Sequence, residues 1–82
     1  MSLFLDVHHI EGVTAGAAAQ AHAADLQTQD KYGVSYQRYW VDEAEGRVFC
    51  LVEEPDADTA AAVHREAHGL VAEAIHPIVE GT

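Results

Sequence analysis

The side chains best suited to chemistry in this chain are its histidines and carboxylates. The sequence has 6 His and 14 Asp+Glu against 4 Lys+Arg, and their nitrogen and oxygen atoms are ligands for divalent transition metals. His64 and His68 lie four residues apart, a spacing that places two imidazoles on one face of a helix about a turn apart. The pair predicts a surface site for a nickel- or copper-like ion, completed by water, carboxylates or a second subunit. Two solvated side chains are the competing interpretation, because histidines also reach this spacing by chance.

A second polar group is expected around the first strand. His8 and His9 are consecutive and point to opposite faces of a strand, so they belong to different sites. Together with Asp6 and Glu53, His8 is expected to form a polar cluster on the sheet face away from the helices. The cluster is either a metal or proton-transfer site in a cleft or a hydrogen-bonded network lining a dimer interface. The metal-ligand candidates are therefore His64, His68, His8, His9, Glu53 and Asp6.

An organic ligand is the alternative to a metal ion. Tyr36, Arg38 and Trp40 alternate along one predicted strand, where they form either a ligand wall with a cationic grip or an interface packed by aromatic rings. An enzyme or small-molecule-binding protein of this kind would use a sheet-face cleft with four side chains around the ligand, namely His8, Glu53, Arg38 and Tyr36. Only analogy with other dimeric α+β barrels supports that interpretation.

The common catalytic signatures are absent from the sequence. The single cysteine, Cys50, excludes an intramolecular disulfide and lies between Phe49 and Leu51, where a thiol is expected to act as a small apolar filler. The chain has no glycine-rich phosphate loop, CxxC pair or HExxH motif, and no Ser/His/Asp order suggests nucleophilic catalysis. We therefore predict a protein without enzymatic activity.

Local patterns predict the elements that position these residues. Apolar alternation with β-branched and aromatic residues predicts strands over residues 3–9, 34–41, 47–52 and 74–80. An alanine-rich helix is expected over residues 14–32, with Thr14 as its N-cap and Gly33 just past its end. A second helix follows Pro55 and ends within a turn of Gly69.

The order of these elements predicts an α+β fold, a ferredoxin-like βαββαβ sandwich forming one domain over residues 1–82. Its antiparallel sheet carries both helices on one face, and the first and third strands are expected to be central and parallel to each other. The opposite face has no cover within the monomer, and it is expected to present Phe4, Asp6, His8, Phe49, Leu51 and Glu53. A homodimer of the α+β barrel type would bury that face.

The charge balance excludes some partners. The formal net charge of -10 repels nucleic-acid phosphates and anionic lipids, so we expect no nucleic-acid or membrane partner. The chain opens on Met-Ser-Leu-Phe, without the basic start and long apolar run of a signal peptide. We therefore expect a cytoplasmic protein.

Several segments of the sequence together form a recognisable pattern: Arg38-Tyr39-Trp40-Val41, Arg47-Val48-Phe49-Cys50-Leu51-Val52-Glu53-Glu54-Pro55-Asp56, His64, and Ala67-His68-Gly69-Leu70. In these segments the chain resembles a family of small bacterial ferredoxin-like proteins that includes nickel-binding, nickel-responsive members. The resemblance runs over nearly the whole chain. The resemblance implies a dimer of ferredoxin-like subunits and, for the nickel-binding members, metal held near the surface for sequestration or detoxification.

The leading hypothesis from the sequence is a homodimer that binds Ni²⁺ or another divalent transition metal without catalysing a reaction. His64 and His68 form one anchor for the metal, and His8 or His9 with nearby carboxylates forms another. Half-filled coordination spheres on such a surface would accept donors from a neighbouring molecule and so bridge dimers into larger assemblies.

Overall fold

The computed structural model describes residues 2–67, 69 and 72–81. Its elements follow the predicted order and are β1 Ser2–His9, α1 Ala15–Thr28, a 3-10 helix Gln29–Tyr32, β2 Ser35–Asp42, β3 Arg47–Glu54, α2 Ala57–Ala67 and β4 Ala74–Ile78. The predicted α+β architecture of a four-stranded antiparallel sheet with two helices is confirmed. Neither helix in this described part of the chain has the length and apolar character that a bilayer span requires.

The sheet has the strand order β2-β3-β1-β4, and every neighbouring pair is antiparallel. This arrangement is consistent with a ferredoxin-like fold. The two central strands are β1 and β3, as predicted, but the prediction that they are parallel was wrong. The connection through α1 makes β1 parallel to β2, and the hairpin then reverses β3, which lies between them.

Local signals fix the helix ends close to where the sequence places them. The Thr14 side chain accepts a hydrogen bond from the Ala17 backbone N at 3.1 Å and so caps α1. The 3-10 helix that continues α1 ends at Gly33, whose φ of 67° lies in the left-handed region. At the start of α2, Asp56 Oδ1 accepts a hydrogen bond from the Thr59 backbone N at 2.9 Å.

The helices cover the sheet face that was expected to be open. Phe4, Asp6 and His8 are all buried under them, so the prediction that this set faces away from the helices was wrong. Both faces of β1 are partly apolar, and alternation alone therefore does not choose between them. Antiparallel pairing sets His8 opposite Val48 and Glu53 opposite Leu3, which separates His8 and Glu53 onto different faces.

A β-bulge changes the predicted face of β2. Tyr36 pairs with Val52 but Arg38 pairs with Leu51, so the register shifts between the two residues. Tyr36 is buried on the helix side, whereas Arg38 is exposed. The predicted wall of Tyr36, Arg38 and Trp40 on one face was therefore wrong, because the extra residue in the bulged strand reverses the alternation of its side chains.

The loop before β3 requires glycine at position 46, which can be tested by substitution. Gly46 has φ +69°, and a Cβ there would lie 2.9 Å from the Ile10 carbonyl oxygen. We expect Gly46→Ala to cost about 1–2 kcal/mol for the left-handed backbone and about 1–3 kcal/mol more for the close contact. Gly33→Ala is the matched control, since its φ is +67° but nothing lies within 4 Å. Urea unfolding measures both variants, and equal losses of stability would show that the Ile10 contact relaxes freely.

Candidate metal centre

A buried histidine held between two carboxylates lies at the centre of the molecule. His64 Nδ1 is 3.0 Å from Asp25 Oδ1, and His64 Nε2 is 3.2 Å from Asp6 Oδ2. The three residues come from α2, α1 and β1 in turn. His64 and Asp6 are 0% exposed and Asp25 is 1% exposed, so water screens these charges little.

Each element places its residue inward for a local reason. Asp6 alternates with Phe4 and His8 on the helix-facing side of β1. Asp25 lies two helical turns after Ala18, the other buried residue of α1. His64 follows Val63, which is fully buried, so both residues belong to the inward side of α2.

The carboxylates keep His64 charged. Burial alone would lower its pKa, but the hydrogen bonds to Asp25 and Asp6, together with their negative charges, raise the pKa of His64 to about 9. At neutral pH the ring is therefore an imidazolium that donates from both nitrogens, one to each carboxylate. Two carboxylates therefore share one imidazolium.

His8 and Cys50 complete a group able to hold a metal ion. One ligand atom from each of His8, Cys50 and His64 lies within 4.8 Å of the others, and all of these residues are buried. The His8 and His64 rings meet edge to face with centroids 4.6 Å apart. Burial first, and then the charges of Asp25 and Asp6, raises the pKa of the Cys50 thiol to about 12, so the thiol is protonated in the metal-free protein.

The surroundings of the group are buried polar side chains. The Tyr36 ring centroid is 5.0 Å from that of His64. Burial, followed by the charges of Asp25, Asp6 and Glu54, raises the pKa of Tyr36, so the phenol stays neutral. Glu54 is itself fully buried. A cavity of about 180 Å³ between α1 and the sheet reaches this centre, with His8, Cys50 and His64 in its wall.

The donor set fits a transition-metal ion. His64 can bind through Nε2 while its Nδ1–H still donates to Asp25, the arrangement in which metal-bound histidines are usually oriented by a carboxylate. Asp6 Oδ1 is buried and has no hydrogen-bond partner among the described residues, which leaves an oxygen for the ion. Two imidazoles, a thiolate and a carboxylate suit nickel, cobalt, zinc or copper rather than magnesium or calcium.

The structure brings some of the predicted ligands together and separates others. His64, His8 and Asp6 converge, but the prediction that His64 is a surface residue was wrong, because α2 turns its ring into the core. His9 is exposed at the end of β1. Glu53 lies on the helix-free face and accepts a hydrogen bond from Gln37 Nε2 at 2.7 Å. His68 lies outside the described residues, so its pairing with His64 stays a prediction.

The predicted organic-ligand cleft is not assembled. Its His8 and Tyr36 lie on the helix side of the sheet, whereas Glu53 and Arg38 lie on the other side. Sequence reasoning also missed Asp25 and treated Cys50 as a filler. Asp25 stands among the small residues of the inward stripe of α1, and an acidic residue on such a stripe is a signal that it faces a buried partner.

Comparison with known proteins identifies the family. The family described as "Nickel responsive protein SCO4226-like" matches residues 4–78. The chain belongs to this family. The resemblance predicted from the sequence is thereby confirmed.

The chain is also similar to a solved structure along its full length. It is the crystal structure of SCO4226 from Streptomyces coelicolor A3(2), which is 35% identical, has a TM-score of 0.91, and covers 99% of this chain and 100% of its own. A search of curated proteins finds no match. The family description names nickel, and the imidazole and thiol groups of His8, His64 and Cys50 are of the kind that nickel accepts as ligands.

Proposed function

We propose that the protein binds nickel ions as cargo and sequesters them, with His8, Cys50, His64 and Asp6 as the ligands. The observation that carries the proposal is the convergence of His8, Cys50 and His64, whose ligand atoms lie within 4.8 Å of one another in the core. Membership of a nickel-responsive family supports nickel as the ion. A buried site suits sequestration, because ligands shielded from water exchange an ion slowly. The proposed role is holding the ion rather than catalysis.

Binding at this centre must release protons. The ion replaces the proton on His64 Nε2, a group with a pKa of about 9, and the proton on Cys50, whose pKa is about 12. Metal affinity therefore rises with pH, by about tenfold per pH unit for each proton released. If surface carboxylates held the ion instead, the metal affinity would depend on pH much less, because they are already ionised.

We also propose that the protein is a homodimer through the sheet face that carries no helix. Leu3, Leu5 and Val7 in β1 pair with Glu53, Leu51 and Phe49 in β3 on that face, and these apolar residues are only half-buried. Trp40, 48% exposed, extends the same patch. A second copy would remove this surface from water, and metal ions shared between dimers would build larger assemblies.

We expect Cys50→Ala to weaken nickel binding by at least about tenfold, since it removes the thiolate, the softest ligand of the set. His8→Leu should have a similar effect. Calorimetric titration with nickel gives the affinity and stoichiometry, and the sulfur-to-nickel absorption band reports the thiolate directly. Light scattering of the same samples gives the molecular mass with and without nickel, and so tests the proposed homodimer. Neither variant removes His64, on which folding is expected to depend.

His76→Ala is the matched control, because His76 is an exposed histidine on β4 and should leave the affinity unchanged. Nickel binding that survives both Cys50→Ala and His8→Leu would contradict the buried centre. If His9→Ala and His68→Ala then abolish it, nickel binds through the other histidines that the sequence predicts as ligands. No saturable nickel binding by the unaltered protein would overturn the proposed function itself.

A further inference from the structure

The cavity beside the metal centre is large enough for an organic molecule. Its volume is about 180 Å³, and an apolar cavity of about 150 Å³ in another protein binds benzene. One six-membered ring with a small substituent therefore fills it. Exposed Glu11 and Gly12 form part of its wall, so the cavity meets solvent at the loop between β1 and α1.

The wall is apolar on most sides and polar at one end. Its apolar residues come from α1, the loop before it and β3: Ile10, Val13, Ala17, Ala18, Ala21 and Val48. At the polar end lie Asp25, His64 and His22, together with the proposed nickel ligands His8 and Cys50. His22 Nδ1 is buried and has no hydrogen-bond partner among the described residues, so a bound molecule can supply one. Convergent polar groups in an apolar pocket are typical of small-molecule sites.

The charges at the polar end select the ligand. Both ring nitrogens of His64 already contact a carboxylate oxygen, Nδ1 that of Asp25 at 3.0 Å and Nε2 that of Asp6 at 3.2 Å, so neither nitrogen is left to bind an anion. Asp25 lies in the cavity wall and Glu11 lies at the exposed side, and the chain has a net charge of -10. An anionic ligand would lie close to these carboxylates in a region of low dielectric, whereas a hydrogen-bond donor or a cation would be attracted.

We propose that this cavity binds a single-ring organic molecule that is neutral or cationic and that carries a hydroxyl or amine as hydrogen-bond donor. The ring lies against the alanines of α1, and the donor reaches the end of the cavity formed by Asp25 and His22. The cavity shares His8, Cys50 and His64 with the proposed nickel site, but binding of the organic molecule does not require the ion. It also differs from the organic-ligand cleft expected from the sequence, which lay on the other side of the sheet.

The test uses metal-free protein and three probes that share one ring: benzyl alcohol, benzylamine and benzoate. Titrations followed by ¹H–¹⁵N NMR should show saturable shifts for the alcohol and the amine, centred on residues 17–25 and on β3, and none for benzoate. Ala21→Leu places a larger side chain in the cavity and should abolish the shifts. Ala17→Leu narrows the cavity from an exposed position of α1 and provides a second variant that is expected to fold.

Ala23→Leu is the matched control, because Ala23 is exposed on the same helix and is not part of the cavity wall. It should bind the alcohol and the amine as tightly as the unaltered protein. The absence of saturable shifts with any probe would overturn the proposal, and so would binding that survives both Ala17→Leu and Ala21→Leu. Benzoate binding as tight as that of benzylamine would refute the assigned charge preference. Removing the metal beforehand keeps these outcomes distinct from failure of the nickel proposal.

Discussion

Replacing His64 with alanine is expected to destabilise the metal-free protein by about 3–5 kcal/mol, the usual cost of removing one partner from a buried ion pair. The substitution leaves Asp6 and Asp25 buried without the cation that both contact, and it also opens a void where the ring was. Small domains have only about 5–15 kcal/mol of stability in total. A large part of the variant should therefore be unfolded under conditions in which the unaltered protein is folded.

Urea unfolding at neutral pH checks this result, with His9→Ala as the control. His9 is exposed at the end of β1, and its loss should change the free energy of unfolding by less than about 0.5 kcal/mol. Adding Asp6→Asn and Asp25→Asn to His64→Ala should recover part of the lost stability, because the uncompensated charges are removed. Equal stabilities of His64→Ala and His9→Ala would show that the buried triad contributes no net stability.

The second large effect is a fall in stability as the solution becomes alkaline. The pKa of His64 rises from the ordinary value of 6.5 to about 9 in the folded protein, so the folded state holds a proton that the unfolded state releases. The stabilisation is complete below about pH 6.5 and is lost as pH rises through about 9. At about 1.36 kcal/mol per pKa unit, the loss amounts to about 3 kcal/mol.

Unfolding free energies measured in the presence of a chelator between pH 6 and pH 9 test this expectation. His64→Gln should remove the slope, since glutamine does not titrate. The raised pKa of Cys50 also makes the stability fall as the pH rises. That effect begins only above the ordinary thiol pKa of 9.0, so it lies outside the measured range of pH 6 to pH 9. Stability that stays flat between pH 6.5 and pH 9 would mean that His64 is not held as an imidazolium.

The local features of the fold could be predicted because each depends on a few neighbouring residues. Thr14 caps α1 through a bond to a residue three positions away, and Gly33 ends the following turn with its positive φ. The hairpin and the second helix follow equally local signals. The order of these elements also reduces the possible topologies to a few, but it did not prevent the wrong prediction that β1 and β3 are parallel.

The candidate site could be predicted only in part. Residue type identifies His64, His8 and Asp6 as candidates, but it does not predict how they meet. Helical spacing pairs His64 with His68, which lies outside the described residues, and the antiparallel register excludes the predicted grouping of His8 with Glu53. Cys50 was assigned to packing because its neighbours in the sequence are apolar, although its neighbours in space include His8 and His64.

The sequence by itself determined the elements and their order, because caps, turns and periodicity act over short stretches of chain, and the resemblance of several of its segments indicated the family. Only the tertiary structure decided which face of β1 is buried, since both faces carry apolar residues and the choice depends on where the helices pack. Because this face of β1 is buried, Asp6 lies close to Asp25 and His64, which are 19 and 58 positions later in the sequence. The charge of His64 then follows from these two distant carboxylates, whose contribution no local pattern records.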